Sequence, residues 1–315
     1  GIIERNSVSK LFAHSVSGAG AYGIQLQAAA NGMLIQNNFI FDLMNIGTGF
    51  GNIRNVDGIF LGSGSNHKVY HNSISLYGNS ASTGSSSFNC LALSSSLQTG
   101  IDIRNNIFSN TVTGGTANDV FSCLFLPFAR SSSTNLTINN NAYYTGTGSI
   151  NGKSCIAFAG ISSYNIDSLY IVANFNANNT TPANNWRSYS SALGINTNDN
   201  YSIASTAAAP FTSATDLHLN TGVVPTPLES GGTALGVTTD IDAAARNLAT
   251  PDIGADEFTG VALDNFPPVI AVSIPPTCGV IKTLTATITD ASGVPVSGAG
   301  LPMLYWYING LPQTA

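Results

Sequence analysis

Ile35-Gln36-Asn37-Asn38-Phe39-Ile40 is the stretch that decides the fold, because the chain repeats its pattern four more times. In each copy an aliphatic residue stands three places before an Asn, and an apolar residue stands two places after it. The recurring residues are Asn6, Asn38, Asn72, Asn106 and Asn141, which are separated by 32, 34, 34 and 35 positions. A recurrence this regular predicts a repeat architecture.

The composition of the unit shows that it is built from strands. The repeats are rich in Ile, Val, Phe, Thr, Ser, Asn and Gly, and they alternate apolar with polar residues. A second set of strand-like segments recurs alongside the first, at 23–26, 58–61, 90–93, 123–126 and 155–158. Two short strands joined by a turn and followed by a loop of variable length describe one coil of a parallel β-helix.

The recurring Asn is predicted to form a structural ladder. Neighbouring coils stack about 4.8 Å apart, so equivalent side chains form columns. An Asn at a sharp corner tolerates the left-handed backbone conformation, and its amide can hydrogen-bond to the amides above and below it. We therefore interpret Asn6, Asn38, Asn72, Asn106 and Asn141 as a ladder rather than as ligand-binding residues.

The composition also limits the partners. The 315 residues are 43% hydrophobic and only 8% charged, with 32 Gly and a net charge of −6. The basic residues are scattered singly, which argues against nucleic acid as a partner. No apolar run approaches the roughly 20 residues that a membrane-spanning helix needs. The chain opens within a strand pattern, and we expect it to be part of a longer, processed polypeptide.

Three of the four cysteines fall at one position of the repeat. Cys90, Cys123 and Cys155 are 33 and 32 residues apart. If they stack in neighbouring coils, their Cα atoms lie near 5 Å, a separation that a disulfide allows. A column of small packed side chains is the interpretation that we favour, and a metal site lacks a CxxC or His partner. Cys278 belongs to a different segment.

The region after the repeats is predicted to cover the end of the coil. Residues 161–175 could form irregular coils, and residues 184–194 have the pattern of a short helix that starts at Asn184 and stops at Gly194. We expect Trp186, in the first turn of that helix, to plug the apolar core. An uncovered β-helix end exposes strand edges and core, so a cap of this kind is needed.

Three later segments carry a resemblance to a known family. They are Asp216-Leu217-His218-Leu219, the stretch from Thr238 to Asn247, and Pro251-Asp252-Ile253-Gly254-Ala255-Asp256-Glu257-Phe258. They resemble the closing module of secreted right-handed parallel β-helix proteins of the Bacteroidota. One departure is Ala243, where that family usually has Gly. The resemblance implies a pectate-lyase-like fold over residues 1–260, and export through an outer membrane to the cell surface.

The closing segments also carry a carboxylate cluster. Asp240, Asp242, Asp252, Asp256 and Glu257 lie within eighteen residues. Hard cations such as Ca²⁺ bind several oxygen ligands, so calcium is a possible cofactor. The spacing is not that of an EF-hand, and Arg246 is available to neutralise part of the charge. We favour a structural tie between the closing segments, with no cofactor.

The last part of the chain has a different texture. Residues 269–273, 284–289 and 304–308 alternate as antiparallel strands, with a turn at 290–293. This pattern resembles the start of an immunoglobulin-like β-sandwich that is cut short at Ala315. We thus predict an all-β chain with coils at 1–175, a closing region at 176–262 and a partial sandwich at 266–315.

The catalytic candidates are residues that are predicted to point outward from the coils. On the first set of strands these are predicted to be Gln25, Phe60, Ala92, Phe125 and Ala157, which include no carboxylate. On the Asn-containing strands, the best constellation is Lys68, His71, Asp102 and Arg104. We favour a different interpretation, a surface ion pair between neighbouring coils with Arg104 resting on Tyr70, and a turn position for His71. Asp57 with Arg54 is a second candidate pair.

These observations favour a non-enzymatic function. We expect a secreted or surface-attached rod that acts as a stalk, adhesin or filament subunit, with like subunits or other surface proteins as partners. The outward aromatic residues Phe60, Tyr70 and Phe125 are candidates for contact with a protein or a polysaccharide. The alternative is a polysaccharide lyase or glycoside hydrolase, and the third hypothesis is a carbohydrate-binding module without catalysis.

Overall fold

A computed structural model of the chain describes residues 1–16, 20–27, 31–47, 55–94, 97–127, 134–146, 153–159, 169–176, 185–194, 198–263, 269–273, 285–289, 294, 306–308 and 311–313. It confirms an all-β parallel solenoid of about six turns. The chain divides into two compact units, Gly1–Ala262 and Leu263–Ala315.

Three parallel sheets run along the solenoid. The first sheet contains β1 (Ile2–Glu4), β5 (Leu34–Gln36), β9 (Lys68–Tyr70), β13 (Asp102–Arg104) and β17 (Thr137–Asn139). The second contains β2 (Ser7–Val8), β6 (Phe39–Phe41), β10 (Ser73–Leu76), β14 (Ile107–Asn110), β18 (Ala142–Tyr144) and β21 (Ile203–Ser205). The third contains β4 (Ala21–Leu26), β8 (Val56–Leu61), β12 (Ser87–Leu93), β16 (Val120–Leu126) and β19 (Lys153–Ala159), with β20 (Leu169–Tyr170) antiparallel to β19. Two smaller parallel pairs are β3 (Leu11–Ala13) with β7 (Leu43–Asn45), and β11 (Asn79–Ser80) with β15 (Thr113–Gly114).

The strand register stacks the aliphatic member of each repeat. Ile3, Ile35, Val69, Ile103 and Ile138 are partners in successive rungs of the first sheet. The last four are fully buried, so this column forms one wall of the continuous core. Burial of one such side chain stabilises the fold by about 1.5–3 kcal/mol, and the rungs repeat that contribution along the axis.

The corner between the first two sheets is formed by the asparagine ladder. The Nδ2 of Asn38 donates to Oδ1 of Asn72 at 2.8 Å, and Asn72 donates to Asn106 in the same way at 3.0 Å. The ladder begins at Asn6 and continues through Asn141, whose backbone amide donates to Ser202 Oγ. Each amide also bonds backbone carbonyls, so the file satisfies buried polar groups at every corner.

The left-handed backbone conformation belongs to the residue before each ladder asparagine, which corrects the expectation from the sequence. The φ angles of these residues lie between 50° and 60°, at Arg5, Asn37, His71, Asn105 and Asn140. Each turn therefore has two specialised positions. The first bends the backbone, and the second directs its amide along the axis. Asn suits the bend because its short polar side chain lowers the cost of positive φ.

The third sheet shows a second difference from the sequence alignment. Cys90 and Cys123 occupy equivalent positions, because Asn89 pairs with Ser122 and Leu91 with Leu124. Cys155 instead pairs with Ser122, one residue out of the predicted column. The same shift places Phe158, not Ala157, beside Phe125. Partners in these neighbouring rungs are 33 residues apart at both steps, whereas Cys123 and Cys155 are 32 apart. Aligning the two cysteines therefore shifts the register by one residue, which reverses the faces of the strand. All three thiols are buried and free.

The end of the solenoid is covered by two short helices, α1 (Val172–Asn176) and α2 (Trp186–Ala192). Trp186 is fully buried, and its ring meets Tyr170 edge-on and Tyr189 at a tilt, with ring centroids 5.3 and 5.7 Å apart. Its indole N–H donates to Asp199 at 2.8 Å. The N-cap of α2 is Asn185, whose side chain accepts from the Ser188 amide, whereas Asn184 lies outside the described residues. α1 occupies part of the stretch where irregular coils were expected.

The chain then returns along the side of the solenoid. β22 (Phe211–Ser213) pairs antiparallel with β23 (Asp216–Leu219), and β24 (Pro225–Thr226) pairs parallel with β25 (Val261–Ala262). The closing segment, residues 216–258, lies on the outer face of the second sheet. Leu228 and Ile253 join an apolar cluster with Ile107 of β14, and Leu217 and Ala255 join one with Phe39 of β6. The closing segment is thus a lateral strap, whereas α1 and α2 pack at the end of the described core.

The second unit is described in part. β26 (Val269–Ser273) pairs antiparallel with β27 (Thr285–Thr289), and β28 (Trp306–Ile308) pairs antiparallel with β29 (Leu311–Gln313). The predicted turn at 290–293 and Cys278 lie outside the described residues. Across the described chain, no helix has the length and apolar character required to cross a bilayer.

Candidate functional site

Three of the residues singled out from the sequence meet on the outer face of the first sheet. Nε of Arg104 donates to Asp102 Oδ1 at 2.7 Å, and its Nη2 bonds Oδ2 at 2.5 Å. The Tyr70 hydroxyl donates to the same carboxylate, and the Arg104 guanidinium lies 5.5 Å from the centre of the Tyr70 ring. Burial, followed by the Asp102 hydrogen bond and charge, raises the pKa of Tyr70 well above its ordinary value. The expectation of an ion pair between neighbouring coils is therefore wrong: Asp102 and Arg104 lie in one strand, and Tyr70 joins them from the preceding rung.

The other two members of that constellation are directed elsewhere. Lys68 is exposed, and no ion pair links it to a described residue. His71 is fully buried at the corner, where its Nε2 lies 2.9 Å from the Asn105 amide nitrogen. Burial, with a smaller contribution from the charge of Arg246, lowers the pKa of His71 well below its ordinary value. The imidazole is therefore neutral near pH 7 and has a structural position.

Phe60 and Phe125 do point outward from the third sheet, but neither is exposed. Each is only 6% accessible, in an apolar cluster with Ala92, Val120 and Phe158. The Phe60 ring lies 5.4 Å from Tyr22, and the Phe125 ring lies 5.3 Å from Phe158. The expectation of exposed aromatic contacts at these two positions is wrong, because the rungs stack their aromatic side chains against one another. Arg54, the predicted partner of Asp57, lies outside the described residues, and Asp57 accepts a hydrogen bond from Asn89.

Four of the five clustered carboxylates hold backbone amides of the closing segment. Asp240 accepts from the amides of Asp242, Ala244 and Glu257. Asp252 accepts from Ser230 and Phe258, Asp256 from Leu219, and Glu257 from Asn247 and Asp252. Such bonds replace the strand ladder that an irregular segment lacks. Burial, reinforced by the charges of Glu257 and Glu229, raises the pKa of Asp252 to about 7.

Arg246 fastens this carboxylate framework to the solenoid. Its side chain is fully buried, and Nη1 donates to Glu257 Oε2 at 2.9 Å. Nη2 donates to Asn37 Oδ1 and to the carbonyls of Gly254 and Ala255, each at 2.9 Å. Gly254 itself has a φ of 109°, and a Cβ there would lie 2.7 Å from Ile107. The glycine of the family-like motif is thus required both by its backbone conformation and by its close approach to β14.

A column that sequence reasoning interpreted only as turn residues proves to be the docking site for the closing segment. Asn37 donates to the Thr239 carbonyl at 2.7 Å, Asn105 to that of Thr233 at 2.8 Å, and Asn140 to that of Gly231 at 3.0 Å. His71 occupies the same column between them. The signal in the sequence is a second asparagine directly before the ladder asparagine in three of the five repeats, because a bend alone would not require an amide side chain.

A second group of residues was also missed as a site, although the resemblance includes it. His218 Nδ1 lies 2.5 Å from Asp216 Oδ1, and its Nε2 lies 2.7 Å from Asp242 Oδ2. A carboxylate oxygen of Asp256 completes a group whose ligand atoms lie within 4.8 Å of one another. Burial opposes a charged imidazole, but the hydrogen bonds of Asp216 and Asp242 outweigh it and raise the pKa of His218. Of the five predicted calcium ligands, only Asp242 and Asp256 belong to this group.

A cavity of about 290 Å³ lies near the edge of β15. Its described lining includes Thr111, Thr113, Thr145 and Ser154, with no charged side chain. Neutral hydroxyl groups of this kind can hydrogen-bond a polar ligand, but they do not supply acid–base chemistry.

Comparisons of the chain with protein-family models, with curated proteins and with solved structures found no match. Function therefore has to be inferred from the chain's own residues and their arrangement.

Proposed function

We propose that the chain is a non-catalytic structural or adhesive rod of the extracellular space or the cell surface, acting as a stalk, adhesin or filament subunit. In this proposal the solenoid is right-handed and of the secreted Bacteroidota type that the closing motifs resemble. The second unit is the beginning of an immunoglobulin-like sandwich. Like subunits or other surface proteins are the partners, and a polysaccharide is a possible contact.

The observation that carries the proposal is the continuous asparagine ladder with the closing segment docked along it. From Asn6 to Ser202 the corner is joined by hydrogen bonds from rung to rung. The closing segment then spans four rungs through Asn37, Asn105 and Asn140. Contacts that join many rungs resist bending and local opening, which favours a mechanical role.

The state of the best catalytic candidates also supports the proposal. Asp102 and Arg104 are bound to each other and to Tyr70, and His71 is buried beneath the closing segment. A general acid or base must reach the proton that it transfers, and an inverting or retaining glycosidase needs two opposed carboxylates. Within the described first sheet, Asp102 is paired with Arg104 of its own strand and faces Lys68 and Thr137, so no second carboxylate stands opposite it.

Incubation with acidic and neutral polysaccharides tests the enzymatic alternative. We expect neither unsaturated products nor new reducing ends from the full chain. Product formation that Asp102→Ala or Arg104→Ala abolishes would replace the structural proposal with a lyase or hydrolase. Retention of a polysaccharide without cleavage would favour the carbohydrate-binding hypothesis.

Electron microscopy of native material tests the assembled form. We expect rods joined end to end or side by side into larger assemblies. Isolated short rods at all protein concentrations would contradict the filament version and leave the stalk and adhesin versions to be separated by cell-adhesion assays.

A further inference from the structure

A metal-ligand geometry is present around His218. The ring is fixed from two sides, because Nδ1 lies 2.5 Å from Asp216 and the ring meets Phe39 edge-on at 5.0 Å. An Nδ1–H donated to a carboxylate leaves the lone pair of Nε2 directed away from it. Metal-binding histidines are typically oriented by such a carboxylate on the other ring nitrogen.

The Nε2 side of the ring requires a positive charge. Asp242 Oδ2 lies 2.7 Å from Nε2, and a lone pair this close to a carboxylate oxygen is repelled unless a proton or a metal ion lies between them. Asp216, Asp242 and Asp256 together bring three carboxylates to one imidazole. A proton on the ring balances one of these charges, whereas a divalent ion balances two.

Asp256 provides an independent indication of a ligand. The residue is only 7% exposed, and a carboxylate oxygen lies within 4.8 Å of the ligand atoms of His218 and Asp242. Within the described chain, its single hydrogen bond is the one that Oδ2 accepts from the Leu219 amide. A buried carboxylate usually accepts several hydrogen bonds or binds a cation, because desolvation of its charge is costly. Its other oxygen has no hydrogen-bond partner among the described residues, so a cation can bind there in place of water.

We propose that His218, Asp242 and Asp256 bind one divalent transition-metal ion of the Zn²⁺ class, with Asp216 as the positioning residue. Zn²⁺ accepts imidazole nitrogen together with carboxylate oxygen, and three protein ligands leave one coordination position for water. Ca²⁺ prefers six to eight oxygen ligands, which this set does not supply. The proposal goes beyond the structural function and does not depend on it.

Between His218 and Asp242 only a small movement is needed to accommodate the ion. Two ligand atoms about 2.0–2.2 Å from a tetrahedral metal lie roughly 3.3 Å apart, compared with the 2.7 Å between Nε2 and Asp242. The Asp242 side chain is 60% exposed and can move by that amount, whereas His218 is held by Asp216.

The ion joins three parts of the closing segment. His218 lies on β23, Asp242 follows 24 residues later, and Asp256 belongs to the motif that contacts β10 and β14. Crosslinking separate stretches restricts the unfolded chain, and a ligand bound by the folded state alone stabilises it. Bound metal therefore secures the closing segment against the second sheet.

Calorimetric titration of the chelator-treated full chain with Zn²⁺ tests this proposal. We expect one equivalent to bind and the thermal midpoint to rise. Asp242→Asn and His218→Ala should each weaken binding at least tenfold. Asp242→Asn is the decisive variant for stability, because among the described residues its exposed side chain bonds only His218, so the fold should remain intact. His14→Ala, at an exposed histidine in the first rung, should change the affinity less than twofold.

Titration with Co²⁺ and with Ca²⁺ in place of Zn²⁺ shows which class of metal ion the site binds and through which residues. Co²⁺ should show visible absorption that Asp242→Asn and His218→Ala both remove. Absence of saturable binding would overturn the proposal in favour of a protonated His218 bridging the carboxylates. Equal Zn²⁺ affinity in Asp242→Asn, or Ca²⁺ binding that survives His218→Ala and displaces Zn²⁺, would also overturn it.

Discussion

At the scale of single residues, two adjacent positions that are often asparagine have different structural roles. The ladder position joins one rung to the next, whereas the preceding position bends the backbone and receives the closing segment. Asn72 shows the first role and Asn105 the second. The same residue type is favoured at both because it accepts and donates with one short side chain.

Asn72→Ala should destabilise the protein by about 3 kcal/mol or more, since buried donors and acceptors each cost about 1–3 kcal/mol when unpaired. The Asn72 side chain takes part in five hydrogen bonds and is fully buried. Chemical denaturation gives the free energy of unfolding. Asn6→Ala is the matched control, because that exposed side chain makes two such bonds and should cost less than about 1 kcal/mol. Equal losses would contradict the ladder.

His71 should make folding stability depend on pH. Its folded pKa is lowered by burial, so below about pH 6.5 the unfolded chain binds a proton that the folded chain refuses. Stability is therefore lost as pH falls from about 6.5 towards the folded pKa, by at most about 1.4 kcal/mol per pH unit. His71→Asn keeps a residue that tolerates the bend and should remove this slope.

Two carboxyl groups act on stability in the opposite direction. Burial raises the pKa of Asp252 to about 7 and that of Asp199 to about 6. Their contribution to stability is greatest at low pH and falls as pH rises through these values. The free energy of unfolding of the wild type and of His71→Asn is measured by denaturation between pH 5 and 8. The difference between the two gives the pH dependence that is due to His71. An unchanged difference across that range would contradict its assignment, and His14→Asn serves as the exposed control.

Ala243→Gly should stabilise the closing segment slightly. Ala243 has a φ of 67°, so the position where the resembled family usually has Gly is a left-handed turn here as well. That conformation costs a residue with a Cβ roughly 1–2 kcal/mol, and replacement by glycine removes this cost. Glycine also makes the unfolded chain more flexible, which offsets about 0.5–1 kcal/mol of the stabilisation. A net increase of up to about 1 kcal/mol should appear in thermal unfolding. Ala244→Gly, without the positive φ, should instead destabilise.

At the scale of elements, the closing segment lacks a strand ladder of its own along most of its length. Carboxylates, corner asparagines and one buried arginine supply its hydrogen bonds instead. This explains why residues 238–258 are rich in Asp in a chain that is poor in charge. These carboxylates accept hydrogen bonds from backbone amides that have no partner in a helix or a sheet.

Arg246→Ala should release the closing segment. Loss of a buried partner leaves Glu257 without its counter-charge and costs about 3–5 kcal/mol. Arg104→Ala is the control, because its ion pair with Asp102 is partly exposed and should cost about 1 kcal/mol or less. Limited proteolysis should cut Arg246→Ala within residues 216–258 and spare the Arg104 variant. The idea fails if both variants are cut at the same rate.

At the scale of the whole molecule, the buried thiols report on opening of the solenoid. Burial raises the pKa of the Cys90 and Cys155 thiols, and Cys90, Cys123 and Cys155 are all inaccessible. In the Cys278→Ser variant, a thiol reagent should react with these three cysteines in the native protein no faster than the protein unfolds. Three thiols should react in denaturant. Rapid native labelling of Cys155 alone would show that the third sheet opens locally.

The sequence by itself determined the repeat, its strands and the asparagine ladder. These features arise from contacts between each rung and its immediate neighbour. The same local sequence pattern therefore occurs five times, and the five copies can be aligned. Trp186 as a buried plug follows from the same rule, because the last rung has no neighbour. The register at Cys155 was wrong by one residue because the step between rungs of the third sheet from β8 to β19 varies between 32 and 33 residues, and matching the cysteines selected 32 where the structure has 33.

Only the tertiary structure decided where the closing segment lies and what its charged residues do. Arg246 reaches Asn37 across 209 residues of sequence, and His218 meets Asp242 across 24. No period relates these positions, so alternation and spacing carry no information about them. Packing of an irregular segment against a finished sheet brought them together, because its backbone groups needed hydrogen-bond partners that the segment itself could not supply.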